Sequence, residues 1–225
     1  MAPPARGRGR PREFDRDAAL ARAMHLFWLK GFEATSIADL TTAMNIGAPS
    51  LYAAFGSKES LYAEALRYYE QHFGHRAWGR FESAPTARAA VRQLLLDSAE
   101  ALAGGERGGP KGCMVTLSAV DGEDHAALSE AVRASRRAVV DRLTARFARA
   151  VEAGEIPTRT DLHALARFVQ AVQGGMSLLA RDGATRDELA AVARLSMATW
   201  DATVSRPRQP VRTDNSTSSP KGRHR

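Results

Sequence analysis

Apolar residues between positions 36 and 61 recur at the spacing of two short helices and the start of a third. Ser36 and Asp39 have the spacing of a capping box, which predicts a helix that begins there and ends near Met44. Asn45 follows, and asparagine tolerates the left-handed backbone of a sharp turn better than most residues. Neither helix can bury its apolar face alone, so the pair is predicted to pack as a helix-turn-helix.

The second short helix is expected to begin near Gly47 or Ala48, with Pro49 in the first turn, where a missing N–H is tolerated. A preceding helix is expected over about residues 15–30, and a longer helix follows the pair. Four further helical segments are predicted towards the C-terminus. The residues expected to cap or interrupt these helices are Gly31, Ser57, Gly74, Gly79 and the capping-box pair Thr185 and Glu188. No alternating strand pattern competes, so the fold class is all-α.

The charge distribution divides the chain. The net charge is +7, of which residues 1–12 carry +4 and residues 204–225 carry +5, so the remainder sums to −2. Basic ends indicate contact with a polyanion, first nucleic acid and second an anionic membrane surface. The C-terminal tail is equally consistent with a solubilising extension. The predicted organisation is a disordered basic arm (1–12), a helix-turn-helix DNA-binding domain (13–74), a larger helical domain (75–203) and a disordered basic tail (204–225).

Several function classes are disfavoured. No apolar run approaches the length of a bilayer span and no secretory signal is present, so the protein is expected to be cytoplasmic, with no membrane partner. The glycine-rich loop 104–113 lacks the Gly-Lys-Ser/Thr ending of a phosphate-binding loop and is predicted to connect two helices. The histidines have neither metal-ligand spacing nor a recognisable catalytic partner. We therefore expect no cofactor, no metal and no enzymatic activity.

The helix over residues 48–55 is predicted to enter the DNA major groove while the preceding helix supports it. Leu51 and Phe55 should face inward, which exposes a small and nearly uncharged surface on which Ser50 can contact bases. Tyr52 can donate its hydroxyl to a phosphate, and helix starts at Lys58 and Ser36 favour an anion. The predicted DNA-binding residues are Arg8, Arg10, Arg12, Thr35, Ser36, Ala48, Pro49, Ser50, Tyr52 and Lys58. The alternative for Ser50 and Tyr52 is an ordinary surface residue.

The basic arm contains the sequence RGRGRPR. Its Arg8-Gly9-Arg10-Pro11 segment resembles an AT-hook core, in which an extended backbone lies in a narrow A·T-rich minor groove with arginines inserted. Homeodomain arms show that a helix-turn-helix can be combined with such an arm. A disordered basic leader without this function is the alternative.

Residues 16–66 resemble the tetracycline-repressor (TetR) family of bacterial transcription regulators. The match includes Lys-Gly-Phe at a helix end, Thr-Ser-Ile at a helix start, Ser-Leu-Tyr, Phe and Ser-Lys-Glu in order. The resemblance implies a homodimer, a three-helix DNA-binding head, and a helical body whose pocket binds a small molecule that alters DNA affinity. It places the phosphate-contacting tyrosine at Tyr52, the helix-start lysine at Lys58 and the helix-start threonine at Thr35. The chain departs from the family pattern at Asn45, Ala48, Ala53 and Ala54.

The second half offers fewer specific signals. The segment KGCMVTLSAVDGEDHAAL is similar to one branch of the family, in which Gly-Cys begins a short helix. Cys113 is either a redox or electrophile sensor or a small buried apolar residue. The candidate residues for binding the small-molecule effector, for which a place in the core is the favoured alternative, are Trp78, Met114, Phe168, Gln173 and Met176. The last two helices, about residues 161–180 and 186–203, are predicted to form the homodimer.

The favoured hypothesis is a dimeric repressor, associated with the nucleoid, that a small-molecule ligand releases from a palindromic double-stranded DNA operator. A non-specific DNA-architectural protein that uses its basic arms is the alternative. An all-helical enzyme is the weakest of the three hypotheses.

Overall fold

The computed structural model describes residues 14–105, 109–120 and 125–205, except for the side chains of His75 and Ser205. Within these ranges the regular elements are helices and no strand occurs, which confirms the all-α prediction. In chain order the helices are α1 (Arg16–Lys30), α2 (Ile37–Met44), α3 (Ala48–Phe55), α4 (Lys58–Trp78), α5 (Ala87–Leu102), α6 (Met114–Leu117), α7 (Ala126–Glu152), α8 (Leu162–Arg181) and α9 (Arg186–Ser205).

The turn between α2 and α3 has the predicted local structure. Ser36 and Asp39 form both bonds of a capping box, and the backbone N–H of Asp39 donates to the Ser36 hydroxyl at 3.0 Å. Asn45 adopts the left-handed conformation, with φ 57° and ψ 44°. Its N–H donates to carbonyls of α2 and satisfies the end of that helix. Short-range hydrogen bonds therefore fix the chain direction between the two helices.

Helix α4 differs from the prediction because it continues through Gly74 and ends at Trp78, next to Gly79. Glycine inside a helix costs about 1 kcal/mol relative to alanine. The aromatic residues on either side offset this cost, because Phe73 packs edge-on against Trp28 at 5.3 Å and Trp78 packs edge-on against Phe81 at 5.1 Å. The proposed domain boundary at residue 74 thus lies within a continuous helix.

Two apolar cores form. The first lies among α1 to α4 and buries residues such as Phe27, Leu40 and Tyr62, but it also includes residues of α6 and α7 such as Met114 and Leu128. The second lies among α5, α7, α8 and α9, with Phe147 packed against Trp200 at 5.2 Å. The N-terminal head, defined here as residues 14–57 with the first half of α4, therefore shares its core with later helices. The remaining helices form the body.

Among the described residues, no helix has both the length and the apolar character that a membrane span requires.

Candidate nucleic-acid interface and adjoining cavity

Helix α3 is held by its inner face and presents its outer face to solvent. Leu51 is fully buried and Phe55 is nearly so, with the Arg16 guanidinium 4.4 Å from the centre of the Phe55 ring. Pro49 and Ser50 are exposed, and Tyr52 is 47% exposed. Ala48 is partly exposed at the first helical position. The structure therefore brings the four predicted α3 residues to one accessible end and face of the helix.

The start of α4 combines a cation with a competing carboxylate. Ser57 caps the helix by accepting the Ser60 N–H at 3.1 Å. The Lys58 ammonium lies 4.2 Å from the centre of the Phe32 ring, a cation–π contact that keeps the amine close to the helix start. The Glu59 N–H and the Ser57 hydroxyl donate to the Glu59 carboxylate and hold the pKa of that carboxyl below its ordinary value. A phosphate bound at this helix start would either displace the Glu59 carboxylate or bind next to it.

The start of α2 corrects one predicted contact. Thr35 is completely buried, and its hydroxyl donates to the Gly31 carbonyl at 2.6 Å. Its side chain therefore stabilises the turn after α1 and is not exposed to a phosphate in this structure, which differs from the predicted contact. Ser36 is exposed, and its hydroxyl accepts one bond from α2, while the Ser36 N–H and hydroxyl help to lower the pKa of the Asp39 carboxyl. Asp39 lies beside it and pairs with Lys30 at 3.1 Å.

The predicted contacts of the basic arm, at Arg8, Arg10 and Arg12, lie outside the described residues, as does the tail from residue 206 onwards.

A cavity of about 520 Å³ lies where the head meets the body. Its aromatic wall is formed by Trp28 of α1 and Tyr69, Phe73 and Trp78 of α4. A volume of this size suits a small organic molecule, since such sites typically measure about 300–1,000 Å³. Cys113 also borders the cavity and is partly exposed. Burial raises the pKa of Tyr69 well above its ordinary value, and the neighbouring Cys113 thiol contributes to the shift.

Two of the five candidate effector residues line this cavity. Trp78 and Gln173 line the cavity, and the Gln173 amide donates to the Ser98 hydroxyl at 2.8 Å. Met114 and Met176 are instead buried in the two cores, and Phe168 packs against the body core. On α8 the cavity borders Gln173, and Met176 lies only about 60° away around the helix, so apolar periodicity alone does not identify which of the two side chains faces the void.

A larger cleft of about 820 Å³ lies against α4, α5 and α9, and its charged walls contain two ion pairs. Arg80 contacts Asp97 across it, and Arg186 contacts Glu100 at 2.5 Å. Because these side chains already neutralise one another, the cleft offers less to a ligand than the aromatic cavity.

Hydrogen bonds connect the cavity wall to the head and to α8. The Trp28 indole N–H donates to the Gly112 carbonyl at 3.1 Å. The Arg181 guanidinium, at the end of α8, donates to the carbonyls of Trp28 at 2.7 Å and Leu29 at 3.0 Å. Trp28 therefore belongs to the head core, borders the cavity and is fixed to the body at both its side chain and its backbone.

A short helix that packs through Leu40 and Met44, a left-handed turn and a second helix with an exposed face define a helix-turn-helix nucleic-acid-binding protein. A sequence model described as bacterial regulatory proteins of the tetR family matches residues 19–65. The chain is 37% identical over 204 residues to the HTH-type transcriptional repressor ComR of Escherichia coli K12, covering 87% of this chain and 93% of ComR. It is 31% identical over 195 residues to the HTH-type transcriptional repressor BdcR of the same organism, covering 84% of this chain and 90% of BdcR.

A solved structure of a cysteine mutant of the TetR family transcriptional regulator CifR, complexed with 26-bp double-strand operator DNA, has 40% sequence identity and a TM-score of 0.79. The similarity covers 85% of this chain and 100% of the CifR chain. The chain belongs to the tetR family. It is a DNA-binding transcriptional regulator rather than an enzyme, as the sequence predicts.

Proposed function

We propose that this regulator is a homodimeric repressor that binds a palindromic double-stranded operator through α3 and leaves it when a small molecule occupies the aromatic cavity. The observation that carries the proposal is the position of Trp28, which lies in the head core and in the cavity wall at once. A ligand that moves this side chain changes the packing that holds the helix-turn-helix in place. The repressor names of ComR and BdcR and the operator complex of CifR support the same function.

The outer faces of α8 and α9 support dimerisation. Leu178 is 55% exposed and Leu195 is 73% exposed, with Leu179 beside them. Large exposed apolar side chains on neighbouring helices indicate a contact surface. Gly175 is also exposed on α8 and allows a second helix to approach closely. Two-fold packing of this face would place the two α3 helices about one DNA turn, about 34–36 Å, or a multiple of it apart, which requires a palindromic operator.

The proposed DNA contacts divide by type. Ala48, Pro49 and Ser50 meet base edges in the major groove, because they begin α3 and are accessible there. Tyr52, Lys58 and Ser36 meet phosphates, which fixes the position of the head but is independent of sequence. Arg8, Arg10 and Arg12 add minor-groove contacts from the basic arm. With DNA as its partner, the regulator is placed in the cytoplasm at the nucleoid.

For a ligand to release the protein from DNA, it must bind the conformation that does not bind DNA more tightly than the conformation that does. In this structure Arg181 holds the end of α1 through two carbonyl bonds, and we assign this arrangement to the DNA-binding conformation. A ligand that packs against Trp28 favours a rotation of α1 relative to α8 that weakens those bonds. Couplings of this kind typically amount to about 1–3 kcal/mol, or about 5–150-fold in affinity.

Footprinting of the DNA upstream of the protein's own gene, in excess random competitor, tests the operator proposal. We expect protection of two symmetric half-sites, and Ser50→Ala should reduce the preference for them over random DNA. Protection without sequence preference would instead support the DNA-architectural alternative. Sedimentation tests the dimer: Leu195→Glu should yield monomer, whereas Leu29→Glu, at a leucine of the head that is 58% exposed, should leave the dimer intact.

A further inference from the structure

The polar groups around the aromatic cavity are strongly biased towards positive charge. Four arginines and one glutamate border it: Arg76, Arg136, Arg142, Arg167 and Glu70. Arg142 is already neutralised, since it pairs with Glu82 at 2.8 Å. For the other three guanidinium groups, the described part of the chain provides no carboxylate within ion-pair distance. The cavity therefore has an excess of two positive charges even when Glu70 is counted.

Two of these arginines are held in place by neutral groups. Arg136 donates to backbone carbonyls of Val115 at 3.2 Å and Thr116 at 3.0 Å. Arg167 donates to the Gln170 side-chain carbonyl at 3.0 Å, and the Gln170 amide donates to the Arg136 backbone carbonyl at 2.7 Å. Neutral partners orient these groups without cancelling their charge. A fixed and uncompensated guanidinium group is well suited to bind a carboxylate.

The same cavity is also lined by a cluster of aromatic side chains. Trp28 packs edge-on against Tyr69 at 4.8 Å and against Phe73 at 5.3 Å, so several ring faces and edges meet at one place. The Arg76 guanidinium lies 4.5 Å from the centre of the Phe73 ring, which brings a positive charge to the edge of this aromatic wall. An aromatic ring can pack there with the geometry that aromatic side chains prefer for one another.

We propose that the effector of this cavity is an aromatic carboxylate, an inference that rests on the proposed effector-binding function. The ring packs against the aromatic wall at Trp28 and Phe73, and the carboxylate is bound by Arg167 with Arg76 and Arg136 contributing charge. A cationic ligand would meet the same excess of positive charge and is disfavoured. A neutral ligand of the same shape gains the ring contact but no ion pair.

Titration calorimetry of the full chain with 2-naphthoate and with its neutral isostere 2-naphthamide tests the charge preference. We expect 2-naphthoate to bind at least about tenfold more tightly, which corresponds to one charge-assisted hydrogen bond. Arg167→Gln should reduce the affinity for 2-naphthoate by about tenfold and leave that for 2-naphthamide unchanged. Arg142→Gln is the matched control in the same cavity wall, because its charge is paired and Glu82 keeps a second partner in Arg149 at 3.2 Å.

The possible outcomes separate this inference from the proposed function. Equal affinities for the acid and the amide, or no binding of either, would overturn the inference of an anionic ligand. If 2-naphthoate binds with the expected dependence on Arg167 but leaves the operator complex intact, the ligand class stands and the proposed release mechanism is wrong. Footprinting without ligand tests operator binding independently of both.

Discussion

Replacing Lys58 by alanine is expected to weaken DNA binding through a defined electrostatic change. In the free protein the Lys58 ammonium lies 4.2 Å from the centre of the Phe32 ring. Loss of an exposed cation–π contact costs about 0.5–1 kcal/mol of folding stability per subunit. On DNA the same ammonium is proposed to neutralise one phosphate per subunit, so the dimer would lose two such contacts.

The salt dependence gives the expected magnitude. Each neutralised phosphate contributes about 0.9 to the slope of log affinity against log salt, so two contacts contribute about 1.8. Raising salt from about 50 mM to about 200 mM should therefore reduce the ratio of wild-type to variant affinity about twelvefold. Because phosphate contacts carry no sequence information, operator and random duplexes should lose affinity in similar proportion.

Fluorescence anisotropy of labelled duplexes over this salt range measures the slope, and thermal unfolding of the same samples measures the stability change. Lys58→Arg is the control, since it keeps the charge at the helix start and should retain most of the slope. An unchanged slope for Lys58→Ala would show that this residue makes no phosphate contact. A loss of affinity for the operator without a loss for random DNA would indicate base contacts instead.

Four further predictions concern other parts of the molecule. Gly112 and Gly154 both have left-handed φ, of 79° and 76°, but a Cβ at Gly112 would lie 2.9 Å from a backbone carbonyl of α8 whereas Gly154 has open space. In urea denaturation Gly154→Ala should therefore cost about 1–2 kcal/mol and Gly112→Ala clearly more. Arg181→Met removes the two bonds to α1 and should reduce the effector-induced change in operator affinity; an undiminished change would exclude Arg181 as the link. Burial and, to a smaller extent, the charge of Arg76 lower the pKa of His25, so the fold favours its neutral form. The free energy of unfolding should therefore decline as the pH falls below about 6.5, the ordinary pKa of histidine. Thermal unfolding should show a smaller decline for His25→Gln. Deletion of residues 1–12 should lower the slope of log affinity against log salt by about 2–4 and leave the dimer intact. In binding titrations the loss of affinity should be largest on operators flanked by A·T pairs. An equal slope would show that the arm makes no DNA contact.

The sequence determined the local structure of the head. The Ser36 and Asp39 capping box, the left-handed Asn45 and the Pro49 position in α3 depend on residues only a few positions apart. Such interactions can be inferred without knowing the rest of the fold. The limits of the last two helices also follow from caps and periodicity, with residues 161–180 and 186–203 predicted and Leu162–Arg181 and Arg186–Ser205 observed.

Tertiary structure alone decided how these helices surround a cavity. Periodicity marks the apolar side of a helix, but it does not show whether that side meets another helix or a void, because the answer depends on segments far away in sequence. Met114 and Met176 thus enter the cores, and Trp28 borders the cavity. Arg181 reaches the Trp28 carbonyl across 153 sequence positions, a contact that no local pattern indicates. The link between the aromatic cavity and the head is therefore a property of packing.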